Sequence, residues 1–93
     1  MHLDDLRTFL DLAESCHFGR AAAAGHRTVS AVSRTLTRLE RSVGGRLFDR
    51  TPGGARLTPA GEAFRRFAAD VLGQYADLRA GLGEASAGLT GAL

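Results

Sequence analysis

Between Ala24 and Val29 the sequence stops one helix and starts another, and this short junction constrains the fold more than any other feature. Phe18 to Ala24 is Ala-rich, Ala is the best helix former, and Gly25 is the usual kind of stop. Gly25-His26-Arg27 leaves room only for a tight turn. Thr28 then places a hydroxyl where it can accept a bond from an unpaired backbone N–H, which predicts a helix continuing to about Val43, where Gly44 and Gly45 break it.

That second helix divides its residues by face. Val32, Leu36, Leu39 and Val43 recur at i, i+4, i+7 and i+11 and are expected to form the buried stripe. Ser30, Ser33, Arg34, Thr37, Arg38 and Arg41 lie mostly opposite. The formal net charge is only +2, but it is unevenly spread. Residues 17–56 hold Arg20, Arg27, Arg34, Arg38, Arg41, Arg46, Arg50 and Arg56 against Glu40 and Asp49, whereas the flanking segments are net acidic. A local basic patch is the electrostatic footprint of a polyanion; the alternative is a solvated helix face.

Around this centre, Leu3, Leu6, Phe9, Leu10, Leu12 and Ala13 repeat at helical spacing and predict an amphipathic first helix ended by Ser15 to His17. Beyond Gly45, residues 46–50 and 55–58 flank the turn signal Thr51-Pro52-Gly53-Gly54, which predicts a β-hairpin. Its Leu47, Phe48 and Leu57 must reach the helical core, with Arg50 and Arg56 outside. Thr58-Pro59 opens a long final helix. Phe64, Val71 and Leu78 recur every seven residues, as do Ala68, Tyr75 and Leu82, the pattern of a helix seam, and a partner helix is the expected cover. Gly81, Gly83, Gly88 and Gly91 then predict a loosened chain.

At 93 residues the chain is near the size at which one core is marginal, so association is expected. Cys16 has no internal disulfide partner, no Cys/His group has zinc spacing, and neither a signal-peptide order nor a membrane-length apolar run is evident. The expected location is a reducing cytoplasm, with no membrane, metal or cofactor. No phosphate loop or nucleophile motif is present and the carboxylates are scattered, which argues against an enzyme.

In order along the chain, Phe18-Gly19-Arg20-Ala21-Ala22, His26 to Arg34, Leu39-Glu40, Gly44, Leu47-Phe48-Asp49-Arg50 and Leu57-Thr58-Pro59-Ala60-Gly61 resemble the N-terminal domain of LysR-type transcriptional regulators. The opening Asp5 to Leu10, with Leu12 to Ser15 and His17-Phe18, looks especially like the activators of branched-chain amino-acid biosynthesis within that family. The resemblance implies a mainly α, winged helix-turn-helix domain over residues 1–58, a dimerisation helix over 59–84, and a flexible hinge over 85–93 leading to an effector-binding domain outside this sequence. It implies a bacterial regulator that docks a recognition helix in the major groove of promoter DNA as a dimer or tetramer, with a small-molecule effector acting only through the absent domain.

On that reading Ser33 and Arg34 face the groove, and Arg34 can offer paired donors to guanine. Thr28, Ser30, Arg38, Arg50 and Arg56 are expected at the DNA backbone. Val29 either touches a thymine methyl or staples the helix start to the core. Two departures from the family pattern stand at the turn: Gly25 where Leu is usual and Arg27 where Val is usual. Arg20 is expected to pair with Glu14 or Glu40 if it does not contact DNA, Cys16 to be a buried small hydrophobe, and Phe64, Ala68, Val71, Tyr75, Leu78 and Leu82 to form the dimer seam. The competing class is a helical dimerisation or protein-interaction module that binds no specific DNA.

Overall fold

The computed structural model describes the backbone of residues 1–92 and the side chains of residues 1–84. Its elements are α1 (Leu3–Ser15), α2 (Phe18–Ala24), α3 (Val29–Val43), β1 (Phe48–Thr51), β2 (Gly54–Leu57) and α4 (Pro59–Ala92). The two strands form an antiparallel hairpin in which Phe48 faces Leu57 and Asp49 faces Arg56.

Local chemistry fixes each boundary. The His17 ring nitrogen Nδ1 accepts the Arg20 backbone N–H at 3.1 Å and caps α2. Thr28 Oγ1 accepts the Ala31 N–H at 3.0 Å and caps α3 as the sequence led us to expect. Thr58 performs two tasks at the start of α4: its hydroxyl donates to the Arg46 carbonyl at 2.7 Å and accepts the Gly61 N–H at 3.0 Å. Gly61 is required there because a Cβ would collide with the Leu47 carbonyl oxygen, so the Leu-Thr-Pro-Ala-Gly run is a single device that joins α4 to the root of the hairpin.

The core gathers Leu6, Phe9 and Leu12 from α1, Phe18, Ala21 and Ala22 from α2, Val32, Leu36 and Leu39 from α3, Leu47, Phe48 and Ala55 from the hairpin, and Phe64 and Ala68 from α4. Phe9 is central: its ring lies 5.2 Å from that of Phe48 and 4.7 Å from that of Phe64, the latter edge-on, so one side chain ties α1 to both the hairpin and α4. Among the described residues, no helix is long and apolar enough to cross a membrane.

Four details depart from the sequence reading. Val43 is 46% exposed rather than buried, because the last turn of α3 runs past the edge of the core. Cys16 is exposed: it occupies the left-handed position that ends α1, with φ 54°, and its side chain turns away from the core. Phe64 and Ala68 are buried inside the chain's own core, since the root of α4 lies along α1 and needs these two residues there. The glycine-rich stretch expected to form a hinge over 85–93 is helical as far as Ala92; its side chains, and Leu93 entirely, lie outside the described residues. A helical Gly costs roughly 1 kcal/mol relative to Ala, and the Ala and Leu between these glycines favour the helix.

Candidate nucleic-acid interface

The exposed side of α3 forms an open groove lined by Val29, Ser30, Ser33, Arg34, Thr37, Arg38, Arg41 and, from the hairpin, Arg50. The arrangement follows from helical geometry, because Val29, Ser33 and Thr37 form one row at i, i+4, i+8 and Arg34, Arg38 and Arg41 a second row beside it. Val32, Thr35, Leu36 and Leu39 on the other side are buried and hold the helix down.

The hairpin's position beside α3 is set by Glu40. One carboxylate oxygen, Oε2, accepts the backbone N–H of Leu47 at 2.7 Å and that of Phe48 at 3.4 Å, so a side chain of α3 grips the start of β1. Across the hairpin, the Ala55 N–H donates to the Cys16 carbonyl at 2.9 Å, seating β2 on the end of α1. Arg50 then reaches the groove: its Nη2 donates to Ser33 Oγ at 3.2 Å, and its guanidinium carbon lies 4.1 Å from the centre of the Phe18 ring.

The groove cations are not equivalent. Arg38 Nη2 donates to Asp5 Oδ1 at 3.0 Å and to Thr35 Oγ1 at 3.2 Å, so a buried carboxylate of α1 holds it and partly offsets its charge. Among the described residues Arg34 and Arg41 enter no ion pair and keep their full charge toward solvent. Arg20 pairs with neither Glu14 nor Glu40 among the described residues, since Glu40 is committed to the hairpin.

Six of the eight residues expected at the interface therefore meet in one place: Val29, Ser30, Ser33, Arg34, Arg38 and Arg50. Thr28 lies just outside, its hydroxyl oxygen used as the α3 cap. Arg56 is exposed on β2 opposite Asp49 and does not line the groove. Val29 is 51% exposed, which removes the core-staple alternative. Thr37 and Arg41 line the groove without having been singled out as interface residues; their place on the polar row was the available signal. Asp5 behind Arg38 and Phe18 beneath Arg50 are partners from distant parts of the chain, which helix periodicity cannot reveal.

The turn before α3 resolves the two departures from the family pattern as one compensation. A Cβ at Gly25 would collide with the Arg27 guanidinium, so the missing side chain is the space that the arginine occupies. Arg27 then reaches back to α1, with Nη2 2.8 Å from Asp4 Oδ1 and Nη1 3.3 Å from Asp11 Oδ2, and only 16% of its side chain remains exposed. Arg27 thus serves the fold and leaves the groove to other arginines. His26, at φ 54°, takes the left-handed position in this turn.

A second exposed face runs along α4. Phe67, Leu78 and Leu82 are 48%, 56% and 58% exposed, and Val71 and Tyr75 lie half-buried on the same side of the helix. Phe67 was not part of the expected seam, because it falls on neither heptad row.

Comparison with known proteins places this geometry. Residues 3–62 match the family model for bacterial regulatory helix-turn-helix proteins of the lysR family. The whole chain is 48% identical over 93 residues to the HTH-type transcriptional activator IlvY of Salmonella typhimurium, of which it spans 32%. Among solved structures, a CbnR_DBD–DNA complex superposes with a TM-score of 0.83 at 30% identity, covering 94% of this chain and 99% of that one. A complex of BenM_DBD with catB site 1 DNA gives 0.87 at 26% identity, covering 92% and 97%. The chain therefore spans about a third of the length of the curated relative and nearly all of the two DNA-bound domains.

Proposed function

Since the chain belongs to the lysR family of bacterial regulatory helix-turn-helix proteins, we propose that it reads promoter DNA by laying α3 in the major groove, as one half of a homodimer paired through α4. The observation that carries this reading is the groove itself: hydroxyls and arginines line the solvent side of a helix that follows a short helix and a tight turn, and Arg50 of the wing completes it. Arg34 is the base reader, because its guanidinium is unpaired among the described residues and matches the paired acceptors O6 and N7 of guanine. Val29, exposed on the groove, meets a thymine methyl in this reading. Ser30, Arg38, Arg41 and Arg50 contact phosphates and set register; Arg56, away from the groove, takes phosphates at the outer edge of the wing.

Pairing through α4 is supported by the apolar side that its outer half exposes. Phe64 and Ala68 anchor the root of the helix and Val71 packs partly against the same core, leaving Phe67, Tyr75, Leu78 and Leu82 for a second copy. Two domains related by a two-fold axis would present two α3 helices to successive major grooves, about 34–36 Å apart. Any small-molecule effector acts through residues outside this chain, and the product of binding is control of transcription, with no chemical step catalysed here.

Equilibrium binding to duplex DNA across a salt series tests the reading. The expected result is an affinity that falls steeply, with a log–log slope of about −0.9 per phosphate contact and hence about −3.6 for the phosphate contacts of Arg38, Arg41, Arg50 and Arg56 in one domain. A flat salt dependence overturns it and leaves the exposed α4 face as the main function, that of a dimerisation or protein-interaction module.

A further inference from the structure

Arg50 stands apart among the groove arginines because three elements meet at its guanidinium. The side chain leaves β1, lies over the ring of Phe18 at the start of α2, with 4.1 Å from Cζ to the ring centre, and donates to Ser33 Oγ on α3 at 3.2 Å. Phe18 itself is only 8% exposed and is fixed by the core, so the platform beneath the arginine is rigid. A hairpin arginine without such a seat would surrender the rotamer freedom of a long side chain each time it closed on a ligand. The seat removes most of that loss beforehand.

The seat also leaves the charge intact. Arg38 is oriented by a carboxylate, Asp5, which offsets the cation it positions. An aromatic face orients a guanidinium through its quadrupole while adding no negative charge, and the fork keeps several N–H donors free after one is given to Ser33. Ser33 Oγ accepts from Arg50 and keeps its own O–H as a further donor.

We propose that Phe18 is a positioning residue for DNA binding: its ring face seats the Arg50 guanidinium against Ser33, fixes the wing cation relative to the recognition helix, and presents it to a phosphate without neutralising it. The inference rests on the reading of the groove as a DNA interface and assigns a role in that interface to a residue that the structure places in the core.

The test is a double-mutant cycle on duplex affinity with the 93-residue chain, measured well below the melting midpoint of every variant. Phe18→Leu keeps an apolar side chain in the core and removes the ring. The expected loss is about 3–10-fold in affinity, the scale of the side-chain freedom that an unseated arginine gives up on binding. Phe18→Tyr, which keeps the ring face, recovers most of it. In the Arg50→Ala background, Phe18→Leu is expected to change affinity by less than about two-fold, while it still lowers the melting midpoint, because the ring's core contacts are lost in either background. Equal affinity losses in the two backgrounds, or no loss with Arg50 present, overturn the proposal while leaving the DNA reading standing. Absence of salt-dependent duplex binding by the unmutated chain overturns both.

Discussion

Replacing Gly25 by Ala separates two effects of opposite sign. Gly25 has φ −99° and ψ 7°, a conformation open to other residues, so with free space around it the substitution would stabilise the fold by about 0.4–1 kcal/mol through the unfolded chain. The space is not free: the new Cβ collides with the end of Arg27, which must swing out and abandon Asp4 and Asp11. The Asp4 pair is worth little, because that carboxylate is 68% exposed and its attraction is screened. The Asp11 pair is better sheltered, at 30% exposure, and Arg27 also loses the packing of its stem. Together the lost contacts amount to about 1–2.5 kcal/mol, leaving a net destabilisation of about 1 kcal/mol after the entropic gain. For a domain of this size that lowers the thermal midpoint by about 4–8 °C at low salt, followed by circular dichroism at the helix band. At about 1 M salt, where the screening length is about 3 Å, the difference should narrow. The pair Gly25→Leu with Arg27→Val replaces the ionic clasp by an apolar contact and is expected to lie closer to the parent than the two single variants summed. A midpoint that rises for Gly25→Ala, or strict additivity in the double variant, refutes the compensation.

Arg34→Ala should flatten discrimination at one base position by about 1–3 kcal/mol, whereas Arg50→Ala should weaken all sequences alike; binding to a library of single-base variants of a selected site distinguishes them. Leu78→Asp puts a charge on the exposed side of α4 without touching the core and should yield monomers by sedimentation, while an unchanged mass would place the interface elsewhere. Glu40→Ala strands the Leu47 N–H and frees the wing from α3, for an expected loss of about 1–3 kcal/mol in chemical denaturation and faster amide exchange in the hairpin. An unaltered exchange pattern would show that the wing is held by its apolar contacts alone.

Local signals were legible in the sequence because local chemistry carries them. The bounds of α2 and the Thr28 cap of α3 follow from an Ala run, a Gly stop and a hydroxyl, and the structure agrees residue for residue. The polar row of α3 was equally plain, since it depends only on the turn angle of a helix. What escaped were pairings between distant segments. Arg27 looked like a departure in the turn and is a clasp to α1; Phe18 gave no sign that it supports Arg50, nor Asp5 that it holds Arg38. The seam of α4 was read as one continuous stripe, although its root packs into the chain's own core and its outer half is exposed. Periodicity reports that a face is apolar but not what covers it, and so Phe64 and Ala68 were assigned to a partner when α1 and the hairpin had already claimed them. Cys16 and Val43 failed for a related reason: each sits at a helix end, where the turn leaves the core and hydrophobicity ceases to predict burial.

The central claim, that α3 enters the major groove, is tested most directly by methylation interference on a duplex selected from random sequence for binding to this chain. Guanine N7 lies in the major groove and adenine N3 in the minor groove, so one alkylating reagent probes both. The expected result is loss of binding on guanine N7 methylation in two patches about one helical turn, or a multiple of it, apart. Binding that tolerates guanine N7 methylation and is blocked only at adenine N3 would contradict the assignment of α3 as the recognition helix.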